Sequence, residues 1–182
     1  MTMALRRSAH RALALVLISG CQARQRMAYP NGDTYVGDVV NGMRQGEGVY
    51  RYKATGNRYD GGFKNNMMDG RGTFTYASGN RYEGGFRGGL KEGSATFYYA
   101  SGEVDLIRTA RNIDVGEGVR WSADRTRAFR LVEGRTDDPI PSWRVPEPIS
   151  LHEAAQIARA NGLPEVPPPH VHVDTVARKA SA

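Results

Sequence analysis

Gly56-Asn57-Arg58-Tyr59-Asp60-Gly61-Gly62-Phe63, followed by Asn65-Asn66-Met67-Met68-Asp69-Gly70-Arg71-Gly72-Thr73-Phe74-Thr75-Tyr76, decides the fold of this chain. The same pattern returns as Gly79-Asn80-Arg81-Tyr82-Glu83-Gly84-Gly85-Phe86 and then Gly88-Gly89-Leu90-Lys91-Glu92-Gly93-Ser94-Ala95-Thr96-Phe97-Tyr98-Tyr99. Tyr59 and Tyr82, Gly61 and Gly84, Phe63 and Phe86, Gly70 and Gly93, and Tyr76 and Tyr99 are all separated by 23 residues. A fixed period of this size marks an array of small units.

Each unit reads as two short strands. Tyr59, Gly61 and Phe63 alternate along one segment and Gly72, Phe74 and Tyr76 along the next, the period of a strand with one buried face. Asn65-Asn66 and Gly88-Gly89 lie between the two segments, where a tight hairpin requires positive φ. Gly61 and Gly84 share a face with the rings, which leaves room for an aromatic of the neighbouring hairpin to lie across the backbone. One hairpin buries two or three rings, worth roughly 1.5 to 3 kcal/mol each. Ordering its backbone costs about 1 to 2 kcal/mol per residue. Hairpins must therefore stack, and the predicted fold is all-β: an elongated array of stacked antiparallel hairpins.

An earlier copy runs from Tyr29-Pro30-Asn31-Gly32 through Tyr35 and Val39 to Asn41-Gly42, the clearest hairpin turn, and on to Tyr52. Lys53-Ala54-Thr55-Gly56 is one residue longer than the later connections, so this spacing is 24 rather than 23. After Tyr99 the pattern decays. Glu103-Val104-Asp105-Leu106-Ile107 keeps alternation but loses the Tyr and Gly, as an outer strand whose charges blunt an exposed edge would. Gly116-Glu117-Gly118-Val119-Arg120-Trp121 echoes the second strand 23 residues after Gly93, and residues 125 to 132 alternate again. The array is thus three clear repeats, a degenerate fourth and a final strand pair over residues 29 to 133.

Residues 134 to 149 read as a Pro-rich linker with Trp143 as its one docking residue. Ser150-Leu151-His152-Glu153 fits a capping box, and Leu151, Ala154, Ala155 and Ala158 recur at helical spacing, so residues 150 to 162 are predicted to form a short capping helix. Residues 163 to 182, with Pro167-Pro168-Pro169, are predicted to be a disordered tail.

Residues 1 to 28 have the shape of a leader. Arg6, Arg7 and Arg11 precede the apolar run Ala12 to Ile18, which ends in Ser19-Gly20, a secretory pattern too short to span a membrane. Ile18-Ser19-Gly20-Cys21 resembles the lipobox of bacterial lipoproteins. That resemblance implies acylation of Cys21 and a membrane-anchored protein if the source is bacterial. The other reading starts the protein at Met27 and leaves it cytoplasmic.

Net charge is +6, but residues 1 to 28 supply five Arg and no acid. Residues 29 to 102 hold nine basic and seven acidic groups, and residues 103 to 182 hold eleven and twelve. A nearly neutral body argues against phosphate tracking and hence against nucleic acid. Gly88-Gly89-Leu90-Lys91 lacks the Ser/Thr of a phosphate loop and sits in a hairpin. His170 and His172 have no third ligand nearby and read as tail histidines, and Asp137-Asp138 as a solvated loop. His10 and His152 have no evident catalytic partner. No catalytic residue, metal site, cofactor or small-molecule substrate is expected.

The elements Tyr-x-Gly-x-Phe, an Asn/Gly turn, Gly-x-Gly-x-Phe/Tyr-x-Tyr and a closing Gly resemble the MORN repeat (membrane occupation and recognition nexus), well over residues 29 to 102 and weakly over 103 to 132. The resemblance implies a non-catalytic scaffold whose concave β-surface binds a protein partner or a second copy, as a dimer or head to tail. Acidic phospholipids are the alternative ligand. Tyr35, Tyr59, Phe63, Tyr82 and Phe86 are the candidate partner-binding rings, set against a second reading as the core of the repeat. Arg58 and Arg81, which occupy one repeat position, are the candidate headgroup ligands, set against a charge ladder with Asp60 and Glu83.

Overall fold

In the computed structural model, residues 24 to 131 and 147 to 163 are described. Residues 1 to 23 with Cys21, Trp143, Asp137-Asp138 and the tail histidines lie outside the described residues, whereas Arg24 to Ala28, expected to belong to the leader, form a strand. Strands β1 (Arg24–Ala28), β2 (Thr34–Val40), β3 (Met43–Arg51), β4 (Arg58–Lys64), β5 (Met67–Thr75), β6 (Arg81–Arg87), β7 (Leu90–Tyr98) and β8 (Val104–Ala110) each pair antiparallel with the next. The short β9 (Ile113–Asp114) closes a hairpin on β8, after which β10 (Gly118–Trp121), β11 (Ala128–Leu131) and β12 (Glu147–Ile149) complete one open sheet. Helix α1 (Leu151–Ala160) follows the strands.

The turns form where the sequence permits positive φ. Asn41-Gly42, Asn65-Asn66 and Gly88-Gly89 all adopt it at both central residues, the condition for a type I′ hairpin. A fourth such turn, at Arg111-Asn112, carries no glycine and was not anticipated. Adjacent turns are stitched together along one edge: Asn66 Oδ1 accepts from Arg44 N–H and Asn112 Oδ1 from Lys91 N–H, both at 2.8 Å. Along the opposite edge Asp33, Asn57 and Asn80 accept in the same way from the backbone of Lys53, Ala77 and Ala100. One repeat position thus bonds each connecting turn to the next.

The register repeats as the sequence does. Tyr35, Tyr50, Tyr59, Phe74, Tyr82 and Phe97 stand in one cross-strand row, and Gly37, Gly48, Gly61, Gly72, Gly84 and Ala95 in the row beside it. A bulge follows in each first strand, between Gly37 and Val39, Gly61 and Phe63, and Gly84 and Phe86. It turns a carbonyl toward the tyrosine three residues back: the hydroxyls of Tyr35, Tyr59 and Tyr82 donate to Asp38, Gly62 and Gly85 at 2.8, 3.0 and 3.1 Å. Each tyrosine therefore lies flat over its own strand. The ring over Gly61 belongs to Tyr59 of the same hairpin, a correction to the neighbouring ring expected from the sequence.

The opposite face buries an apolar cluster toward the C-terminal end. Tyr98, Val104, Leu106, Val119, Trp121 and Ala128 form a second cluster there, which α1 covers with Ala154, Ile157 and Ala158. Ser150 caps the helix by accepting from Glu153 N–H, while the Glu153 carboxylate pairs with Arg130 of β11. Asn161 fixes the other end, its amide donating to Glu117 carbonyl at 3.1 Å and its carbonyl accepting from Ser94 hydroxyl at 2.8 Å. β8 is interior, between β7 and β10, and so is not the outer strand its charges suggested. Asp105 is 2 % exposed. It stands in the cross-strand row where the earlier repeats have tyrosine, opposite Arg120 where they have Phe97 or Phe74.

Candidate interaction surface

Two layers of rings occupy one face of β2 to β7. The lower layer is Tyr35, Phe63, Tyr59, Phe86 and Tyr82, joined edge to face with centroids 4.9 to 5.2 Å apart. This is the preferred arrangement for aromatic quadrupoles. These five rings are the ones the sequence nominated for partner binding, and they are buried: 0, 5, 0, 5 and 0 % exposed in that order. They form the core beneath the surface instead. A tyrosine with glycine two residues on and a glycine, or for Tyr82 Ala95, across the ladder sinks flat against the backbone, which removes it from contact.

The upper layer is what faces outward. Tyr29, Tyr50, Tyr52, Phe74, Tyr76, Phe97 and Tyr99 form an unbroken chain of neighbours, each centroid 4.6 to 5.9 Å from the next. All seven are partly exposed. They come from the second strand of each hairpin and its connecting turn, so stacking hairpins extends the row by two rings per repeat. The sequence signal was present, since Phe74 and Tyr76 alternate on the same face as Tyr59. The choice between layers was set by the glycines.

Charge is arranged at both ends of the row. The Arg44 guanidinium lies 4.6 Å from the Tyr50 ring centre and 5.4 Å from Phe63. At the far end Arg120 stacks on Tyr99 at 4.8 Å and forms a two-pronged pair with Asp105, at 2.6 and 2.8 Å, while Tyr99 hydroxyl donates to the same carboxylate. Burial works against the Arg120 charge, but the Asp105 hydrogen bonds and charge outweigh it and raise the pKa further above the arginine range. Asp33 is held below the usual carboxylate range by Lys53 N–H and then by Tyr50 hydroxyl. At the Arg120 end the charge is paired with a carboxylate, whereas Arg44 lies over the rings with no ion pair among the described residues.

Arg58 and Arg81 stand on the other face, in the row with Thr75 and Tyr98. Arg58 pairs with Asp60 at 2.5 Å and Arg81 with Glu83 at 3.1 Å, and Arg81 also lies 4.3 Å from the Tyr98 ring centre. Each has the acidic partner of the charge-ladder reading. Lys91 is buried over Tyr82, at 5.0 Å from its centre, and holds no phosphate loop. Among the described residues no group of three or more His, Cys, Asp or Glu is placed to hold a metal, and no helix is long and apolar enough to cross a membrane. Among the described residues an open cavity of about 380 Å³ lies between Glu92, Gly93, Arg108, Thr109 and Asn161.

The fold and this surface define a β-hairpin repeat protein with one aromatic face and one polar, partly helix-covered face. Residues 35–54, 59–81 and 82–104 match the MORN repeat model as three consecutive repeats. No curated protein sequence matches it. Among solved structures it is similar to the SAS-4 (dCPAP) TCP domain of Drosophila melanogaster, a complex with a proline-rich motif of Ana2 (dSTIL). That similarity has 15 % identity over 70 % of this chain and 92 % of that one, with a TM-score of 0.30.

Proposed function

We propose that this protein is a non-catalytic scaffold which binds an extended segment of a partner protein along the aromatic face. The observation that carries this reading is the seven-ring row itself. Aromatic faces offer large contact area at little entropic cost, and a row that advances with the strands suits a ligand lying across the strand direction. A flat row of rings offers neither the depth nor the convergent groups that a small substrate requires.

Binding of acidic phospholipid through Arg58 and Arg81 has less support, because each cation already has a carboxylate two residues away. Tethering to a membrane through Cys21 rests on the lipobox resemblance alone and is compatible with either ligand. A photo-crosslinking side chain placed at Phe74 in the source cell tests the reading. The expected result is one discrete protein adduct, lost when the same group is moved to Thr73 on the opposite face. Adducts with lipid, or equal labelling from both positions, would contradict it.

A further inference from the structure

The two ends of the sheet offer different outer edges. At the first, Tyr29 N–H donates to Asp33 carbonyl at 3.0 Å. Bonded and non-bonded pairs alternate along an antiparallel ladder, so Met27 with Tyr35 and Gln25 with Gly37 are the bonded pairs. The backbone N–H and C=O groups of Arg24, Arg26 and Ala28 then point away from β2. At the other end, Ser122 N–H donates to Arg127 carbonyl at 3.0 Å. The same alternation turns Ala128 and Arg130 toward Ile149 and Glu147, and leaves the nitrogen of Pro148 on the outer side of β12. A proline ring there removes the donor and fills its place. Pro146 stands two residues earlier in the sequence. One edge is closed to strand addition and the other is open.

The open edge is basic. Arg24 and Arg26 alternate on one face of β1, both exposed, and among the described residues neither forms an ion pair. The preceding residues 1 to 23 contain three Arg and no acid, so that segment does not complement the edge. A second copy does not complement it either. Antiparallel pairing of β1 with β1 centred on Arg26, the register that pairs the whole strand, sets Arg26 against Arg26, which is unfavourable for directly opposed side chains, and pairing with β12 meets Pro148.

We propose that the outer edge of β1 receives an extended segment of a partner protein that carries carboxylates at alternate positions. Main-chain bonds from Arg24, Arg26 and Ala28 hold the added strand, and the two guanidinium groups select its charge. The site is separate from the aromatic face and stands or falls independently of it.

The probe is a fluorescein-labelled peptide of about ten residues alternating Val and Glu, titrated into the full chain and followed by anisotropy. Arg26→Pro removes one outward N–H and leaves the β1–β2 bonds intact. It is expected to weaken binding about tenfold or more with the thermal melt unchanged. Arg26→Lys keeps both donor and charge and is expected to bind within about threefold of the parent. Arg24→Glu with Arg26→Glu abolishes binding. Absence of peptide binding would overturn the proposal, as would an Arg26→Pro protein that binds normally or melts lower. A dimer that Arg26→Pro dissolves would show that a second copy takes the edge. Charge-dependent binding to phosphatidylserine vesicles that Arg26→Pro leaves untouched would show that the arginines serve a membrane surface.

Discussion

The hydroxyl of Tyr59 lies so close over Gly72 that a Cβ at that glycine would sit 2.4 Å from the oxygen. Gly48 stands in the same relation to Tyr35, with a Cβ 2.3 Å from the ring. Ring and backbone are two halves of one contact within each hairpin, and the next hairpin's phenylalanine closes it edge-on. Gly72→Ala therefore forces the ring out of its place, at a cost of about 1 to 3 kcal/mol. Gly42→Ala meets nothing within 4 Å and carries only its positive φ, a cost of roughly 1 kcal/mol. Urea midpoints of the two variants should rank in that order. Equal midpoints would mean that the ring tolerates displacement.

The tyrosine hydroxyls are satisfied by the bulge carbonyls and not by solvent. Tyr59→Phe removes the 3.0 Å bond to Gly62 and leaves that carbonyl without its partner. The expected loss is about 1 kcal/mol, read as a lower urea midpoint with an unchanged slope. Tyr29→Phe, whose hydroxyl lies 3.8 Å from Met27 sulfur, serves as the control and should shift the midpoint far less.

Asp105 and Arg120 replace a tyrosine and a phenylalanine in the cross-strand row, and both are buried. Arg120→Met strands the Asp105 carboxylate in the sheet, which should cost about 3 to 5 kcal/mol. Pairing it with Asp105→Leu should restore most of that loss, because the fold needs the site filled and neutral. A double variant as unstable as the single one would show that the ion pair does more than fill the row.

Alkali should unfold the array. Burial, and then the Asp38 carboxylate for Tyr35 and the Asp33 hydrogen bond for Tyr50, push both phenols up from 10.0 to about 12. Above pH 10 the folded chain thus binds more protons than the unfolded chain. Stability is full below that pH and is lost as pH rises from 10 toward about 12. Tyrosinate absorbance and far-UV circular dichroism should change together in this window. Ionisation of these phenols near 10.0 with the dichroism unchanged would contradict the burial of Tyr35 and the bond from Tyr50 to Asp33.

Much of this architecture was legible because the physical constraints are local. Asn41-Gly42, Asn65-Asn66 and Gly88-Gly89 announce positive φ in the residue types themselves, and the period of the rings fixes which face they share. What escaped was set at a distance. Arg24–Ala28 has no apolar alternation and becomes a strand because β2 offers it an edge. Arg111-Asn112 turns like the three earlier hairpin turns, and Lys91 and Asn112 are bonded across adjacent turns there. The five nominated contact rings were placed on the right face, but period two cannot tell a ring that lies flat from one that stands above it. The glycine at the facing position decides that, and it lies on another strand.

Excision of residues 59–81 would test the repeat directly. It removes 23 residues, joins Arg58 to Tyr82, and presents β6 to β3 in the register that β4 held. The shortened chain should fold cooperatively, with a strand signal reduced in proportion to the two strands lost. A chain that fails to fold, or whose remaining strands lose their protection from hydrogen exchange, would mean that the sheet is one indivisible core and not a stack of interchangeable hairpins.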